Sequence, residues 1–178
     1  MTDPMDKVTE EKDLLGKLQN SVAGFVGYYD RERRRDADKL LRDTVADRYE
    51  EQWDRVSAIQ AQMVAAKMLE YVDDVEAAAI KLRTFVDRVR GAPRGYAGFF
   101  DAVRINQDEL DSLYQYDLEL LEYADRVSEA VDGLETAMSS PDDLPAAIEN
   151  LVTAATKALR AYDRRTEVVI NEQESGNG

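Results

Sequence analysis

The chain has 178 residues, of which 44% are apolar and 34% are charged, and it contains neither cysteine nor histidine. This composition is typical of one folded domain. It excludes disulfide bonds, thiolate or imidazole metal ligands, and catalysis by a Cys or His side chain of the chain itself. The apolar runs, such as Ala77-Ala78-Ala79-Ile80, are far shorter than the roughly 20 residues that span a bilayer. The acidic start MTDPMDKVTEEKD lacks the apolar stretch of a signal peptide, so we expect a soluble, cytoplasmic protein.

The net charge of the chain is −14, with 21 Asp against 16 Glu and 16 Arg against 7 Lys. Acidity of this kind is typical of proteins from haloarchaea that accumulate salt, where Coulomb repulsion is screened within about 3 Å at 1 M salt. An acidic mesophile with a GC-rich genome is the alternative source of the same bias. In both cases the charge repels phosphate, so we do not expect nucleic acid as a partner.

Glycine and proline divide the sequence into predicted helical segments. Neither residue occurs between positions 28 and 90, whereas GAPRGYAG and SSPDDLP interrupt the pattern further along the chain. Asn106 followed by Glu109 predicts an N-cap with a start that resembles a capping box. The sequence therefore predicts one helical domain over residues 1–171, a disordered tail over 172–178, and helices over roughly 5–22, 30–90, 106–138 and 140–170.

Apolar residues recur at helical spacing in the last three of these helices. From Met68 to Val89 they step alternately by four and three residues, which is the a/d pattern of coiled coils. Because an apolar stripe has to be buried against another helix, we predict an all-α, antiparallel helical bundle of about four helices with coiled-coil-like packing. The stripes comprise Met68, Val72, Val75, Ala79, Leu82, Val86 and Val89; Leu110, Tyr114, Leu121, Ala124, Val127, Val131, Leu134 and Met138; and Ile148, Val152, Ala155, Leu159, Tyr162 and Val169.

The second predicted helix is unusually long. About 61 residues would extend ~90 Å, whereas a compact globule of this chain length is roughly 40 Å across. Because no Gly or Pro marks a break, we expect one very long or kinked helix and hence an elongated bundle. The first helix should then fold back along its leading half, and the third and fourth helices along its trailing half.

The densest group of basic residues lies at the start of this long helix, in VGYYDRERRRDADKLLRD at 26–43. Acidic residues three and four positions away, such as Asp38 after Arg34, favour a solvated helix surface with ion pairs. The alternative is a site for phosphate or another acidic partner, because three adjacent arginines cannot all be paired from one helix. The arginines concerned are Arg31, Arg33, Arg34 and Arg35.

A second candidate is the segment that follows the long helix. Tyr96, Phe99 and Phe100 lie among three glycines within residues 91–105. Our preferred interpretation is an ordered loop whose aromatic rings cover one end of the bundle. The alternative is an exposed aromatic patch for a partner, because loops carry function disproportionately.

Acidic side chains suggest a metal hypothesis. Glu70 and Asp73 on the second helix, and Glu119 and Glu122 on the third, are weak candidates for Mg²⁺ ligands, as in all-helical nucleotide pyrophosphatases. Their order and spacing do not match the paired acidic motifs of that family. A chain with 37 acidic residues is also expected to contain such groups by coincidence.

Asp117 is a separate candidate because it falls between Tyr114 and Leu121 in an apolar stripe. If this carboxylate is buried, it needs an Arg or a Tyr hydroxyl as partner, or its pKa rises. A hydrated position in the stripe is the simpler alternative.

The sequence thus predicts a non-catalytic interaction or scaffold protein without a metal or cofactor, whose partner is another protein or a second copy of the chain. A small-molecule substrate is not expected. Two alternatives stay open. One is a peripheral regulator that contacts an anionic surface or nucleic acid through Arg31–Arg35, and the other is a Mg²⁺-dependent hydrolase like the all-α nucleotide pyrophosphatases.

Overall fold

A computed structural model describes residues 4–28, 33–91 and 107–175 of the chain. Within these residues the regular structure is helical and contains no strand, which confirms the predicted all-α class. Two one-turn 3-10 segments, Leu69–Tyr71 and Pro141–Asp143, each precede a helix. In chain order the helices are α1 (Pro4–Ser21), α2 (Arg34–Ala65), α3 (Val72–Gly91), α4 (Gln107–Ala137) and α5 (Leu144–Ser175).

Residues 30–90, predicted to form one long or kinked helix, contain a turn between α2 and α3. The amides of Lys67 and Met68 donate to the carbonyls of Val64 and Met63, with N–O distances of 3.1 and 2.9 Å. These two bonds form a Schellman motif in which Lys67, at a φ of 61°, occupies the left-handed position after the helix. Glycine usually fills this position, so a lysine there leaves no signal of the turn in the sequence.

We predict that Lys67→Gly stabilises the protein by about 0.5–1 kcal/mol, because glycine adopts a positive φ without the steric cost of an L side chain. The matched control is Ala66→Gly at the adjacent C-cap, where φ is −81°. In the control, the added freedom of the unfolded chain should lower the stability. Urea unfolding measures both changes, and a Lys67→Gly protein less stable than wild type would contradict the role of the turn.

Two antiparallel hairpins, α2 with α3 and α4 with α5, pack side by side in the same direction. As a result, α2 lies parallel to α4, and α3 lies parallel to α5. The trailing part of the predicted long helix, α3, therefore packs against α2 and α5. The direction follows from contacts whose residue numbers rise together, namely Arg48 with Asp125, Arg55 with Asp132, and Arg88 with Asp163.

The core contains most of the predicted apolar stripes. On α3, the residues of the stripe from Val75 to Val89 are buried. On α5, part of the buried stripe is displaced by one residue from the predicted one. Leu151 and Ala158 are buried, whereas Val152 of the predicted stripe is only half-buried. The residues of this buried stripe are spaced alternately by four and three positions, and the last of them is charged. The stripe comprises Leu144, Ile148, Leu151, Ala155, Ala158, Tyr162 and Arg165.

The two ends of the described chain depart from the predictions. Helix α1 packs against α4, whereas we expected it to fold back along the second helix. After α1, the segment at 22–28 places Phe25 and Tyr28 in the core. At the other end, α5 continues to Ser175, so residues 172–175 of the predicted disordered tail are helical.

Candidate functional site

A buried ionic network joins α2, α4 and α5 near the end of the bundle where α2 begins. Arg165 of α5 is 1% exposed, and its Nε donates a hydrogen bond to Oδ1 of Asp117 on α4 at 2.6 Å. Its Nη2 donates to Oδ1 of Asp38 on α2 at 3.0 Å. Because Asp117 and Asp38 are 0% and 2% exposed, all three charges lie outside bulk water and depend on one another.

The second oxygen of each carboxylate also has a donor from the chain. The Tyr28 hydroxyl donates to Oδ2 of Asp117 at 2.6 Å, and Arg42 Nε donates to Oδ2 of Asp38 at 2.8 Å. Arg42 also reaches the Val89 carbonyl at 3.4 Å, which connects the network to α3. All four carboxylate oxygens are therefore occupied, as expected for buried charges in a stable fold.

The segment before α2 holds Tyr28 in place through a close approach that requires glycine. Gly27 has a φ of +85°, and a Cβ built there would lie 2.8 Å from the Tyr114 hydroxyl oxygen and 3.0 Å from Leu15. The amide of Tyr28 donates to the same Tyr114 hydroxyl at 2.9 Å. The rings of Tyr28 and Tyr114 stack with centroids 5.3 Å apart, and Phe25 packs edge-on against both.

Burial raises the pKa values of two groups in the network, the Asp117 carboxyl and the Tyr28 hydroxyl. Desolvation raises the pKa of the Asp117 carboxyl above its ordinary value, while the Arg165 guanidinium and the Tyr28 hydroxyl act in the opposite direction. Desolvation, followed by the nearby Asp117, raises the pKa of the Tyr28 hydroxyl well above its ordinary value. The tyrosine therefore stays a hydrogen-bond donor to the carboxylate over the whole neutral range.

The arrangement of these groups suits a structural role. Within the network, Asp38 and Asp117 balance the charges of Arg42 and Arg165, and the donors of the chain already occupy the carboxylate oxygens. A network in which these charges are already paired fixes the relative positions of three helices and the segment before α2.

The structure separates the predicted arginine cluster. Arg33 and Arg35 are exposed, whereas Arg34 is buried and its Nε donates to the Tyr28 carbonyl oxygen. Arg31 lies outside the described residues, as do Tyr96, Phe99 and Phe100 of the predicted aromatic loop. The three described arginines therefore do not share one helix face.

The candidate metal ligands lie in two distant places. Glu70 and Asp73 are exposed on either side of Tyr71, which lines one groove together with Ile148 of α5. Glu119 pairs with Arg164 at 2.5 Å. Because 16 residues of α5 separate these two places, they are ~24 Å apart. Glu122 is exposed beside Glu119, and no group of three or more metal-binding side chains occurs within residues 4–28, 33–91 and 107–175.

Arg165 and Asp38 are network residues that the sequence analysis missed. A signal for Arg165 exists, because steps of four and three from Leu144 end on it. Asp38 likewise precedes the buried Leu41 and Val45 by three and seven residues on α2. A charged residue in register with an apolar stripe thus marks a candidate for a buried ion pair.

An apolar groove lies between α3 and α5 at the other end of the bundle. The groove has a volume of about 410 Å³. Tyr71 and Val152 are half-buried in it, and the nearby side chains of Leu69 and Ile80 are 63% and 55% exposed. The residues that line the groove are Tyr71, Asp74, Ala77, Pro145, Ile148, Glu149, Val152 and Thr153.

Comparison of the chain with protein-family models, curated proteins and solved structures gives no match. Among the helices of the described residues, none combines the length and the apolarity needed to cross a lipid bilayer. Inference about function therefore starts from the network and the groove.

We predict that Arg165→Met lowers the free energy of unfolding by about 3–5 kcal/mol, because it leaves two buried carboxylates without their shared cation. The matched control is Arg164→Met, since Arg164 also pairs with a carboxylate of α4 but is half-exposed. That control should cost less than about 1 kcal/mol. Urea unfolding compares the two, and adding Asp117→Leu to Arg165→Met should restore part of the loss. Equal costs for the two arginines would contradict the buried network.

A second prediction concerns alkaline pH. Desolvation raises the pKa of Tyr114 to about 12 and raises the pKa values of Tyr28 and Tyr49 above the ordinary tyrosine range. Above pH ~10 the unfolded chain loses these protons while the folded chain keeps them. Stability that is fully present below pH ~10 should therefore fall by about 1.4 kcal/mol per pH unit for each of these three tyrosines while it stays protonated in the folded chain.

Ultraviolet absorbance of tyrosinate, recorded together with circular dichroism, checks this expectation. Tyr28, Tyr49 and Tyr114 should lose their protons only as the helices unfold. Tyr49→Phe should remove one tyrosine from the late step. Reversible ionisation of all nine tyrosines with the helical signal intact would contradict it.

Proposed function

We propose that the protein is a non-catalytic interaction module, a helical scaffold that binds another protein through the groove between α3 and α5. The groove supports this proposal because it brings the half-buried Tyr71 and Val152 together above the buried Ile148. An apolar centre surrounded by a polar rim is the usual anatomy of a protein-binding site. The acidic composition fits a scaffold of a haloarchaeal cytoplasm, which stays part of the proposal.

The buried network favours a scaffold over an enzyme. Groups with strongly shifted pKa values can indicate an active site, but here the shifted Asp117 is bonded to Arg165 and Tyr28 and is 0% exposed. A substrate would have to displace these bonds. The same network also fixes the position of α5, which forms one wall of the groove.

The two alternatives from the sequence have less support. Arg34, at the centre of the arginine cluster, points into the protein toward the Tyr28 carbonyl, which leaves fewer cations for an anionic surface. The four candidate metal ligands lie in two places that are ~24 Å apart along α5. The groove is the better basis for a function.

Peptides selected from a random displayed library on the wild-type protein test the proposal. We predict that Ala77→Gln, which places a longer polar side chain in the groove, weakens the selected peptides about tenfold, or by about 1.4 kcal/mol. The matched control is Ala58→Gln on the exposed face of α2, because the helix propensity changes equally in both variants.

Equal melting temperatures of the two variants would show that the loss of binding is local. Failure to select any peptide, or peptides that bind wild type and Ala77→Gln equally, would overturn the proposal.

A further inference from the structure

We propose that the occupant of the groove is a basic, amphipathic helix of a partner protein. This inference rests on the proposed function and adds the chemistry of the partner. It follows from the charges around the groove, the direction of its walls and the charge of the whole chain.

The rim of the groove is strongly acidic. Asp74 and Glu149 line the groove itself, one on each wall. The nearby basic residues are Lys67 in the turn before α3, Lys81, one turn beyond Ala77, and Lys157, one turn beyond Thr153. The exposed acidic residues at this end of α3 and α5 are Glu70, Asp73, Asp74, Asp142, Asp143 and Glu149.

One of these carboxylates has no role in stabilising a helix end. Asp73 and Asp74 lie in the first turn of α3, where negative charge also favours the helix dipole. Glu149, by contrast, is the sixth residue of α5, beyond the first turn where that effect operates. Its charge beside Ile148 and Val152 is therefore available to a cation that approaches the groove.

The shape of the groove suits a helix. Its walls are the parallel helices α3 and α5, and the lining on α5 runs from Pro145 to Thr153. Eight residues of helix extend ~12 Å, which matches about two turns of a bound helix. A helix that presents apolar residues at i, i+3 or i+4, and i+7 fills such a groove, with its flanking positions facing the rim.

The same charges disfavour a second copy of the chain as the occupant. The chain has a net charge of −14, and a symmetric dimer would bring two acidic rims together. Like charges placed opposite each other across an interface oppose association. Basic flanking residues would instead attract the partner and set its orientation.

Fluorescence anisotropy with three labelled model helices tests the inference. Each peptide has about 14 residues with leucine in the i, i+3, i+4, i+7 pattern, and the remaining positions are Lys, Gln or Glu. The Leu/Lys peptide should bind wild type most tightly, and Ala77→Gln should weaken that binding about tenfold. Neutralising the rim with Asp74→Asn and Glu149→Gln should weaken the Leu/Lys peptide roughly three- to tenfold, which two exposed ion pairs can supply.

The control separates the rim from the overall charge. Glu51→Gln with Asp54→Asn removes one Glu and one Asp from the outer face of α2, where both are exposed. This double variant should keep the wild-type affinity for the Leu/Lys peptide. Equal weakening by the rim and control variants would overturn the inference, because attraction would then come from the net charge alone.

The remaining outcomes distinguish the two proposals. If the Leu/Gln or Leu/Glu peptide binds the groove as tightly as Leu/Lys, the groove binds protein segments but the basic partner is wrong. If the displayed library yields groove ligands while Leu/Lys does not bind, the same conclusion holds. If Ala77→Gln changes the binding of neither the library peptides nor the model helices, the proposed function fails together with the inference.

Discussion

The desolvation of Arg165 is the constraint on which the bundle depends. Removing an ion from water costs several kcal/mol, and close partners with good geometry have to offset that cost. Asp117 and Asp38 can do so only if α4 and α2 lie in one register relative to α5. Apolar contacts alone would let one helix slide past another by a turn, whereas the hydrogen bonds of Arg165 would break in such a shift. The network therefore selects one packing of the two hairpins, with parallel α2 and α4.

The helices could be predicted from the sequence because apolar spacing and helix-breaking residues report local structure directly. The predicted ends of the first and third helices lie within a residue or two of those of α1 and α4. The prediction failed between α2 and α3, where Lys67 adopts the left-handed conformation that glycine usually marks. Local rules contain no warning for this turn, because the strain at Lys67 is offset by tertiary packing of the two helices.

The network and the position of α1 could not be predicted, for a different physical reason. Asp117 was recognisable because it interrupts an apolar stripe, and Arg165 continues another. Their contact joins residues 48 positions apart, and the bond to Asp38 spans 127 positions. A stripe shows which face of a helix is buried but not which helix covers it. The choice of α4 as the partner of α1, and of parallel hairpins, is made by contacts of this range.

Carboxylates occupy two contrasting environments beside α5. Between Ile148 in the groove and Arg165 in the network, 17 residues of helix extend ~26 Å. At the buried end, each charge is costly without its partner, so the network restricts substitution. At the groove, the rim carboxylates are exposed, and each changes stability by less than about 1 kcal/mol. Substitutions at the rim can therefore change its charge with little effect on the fold, whereas substitutions in the network cannot.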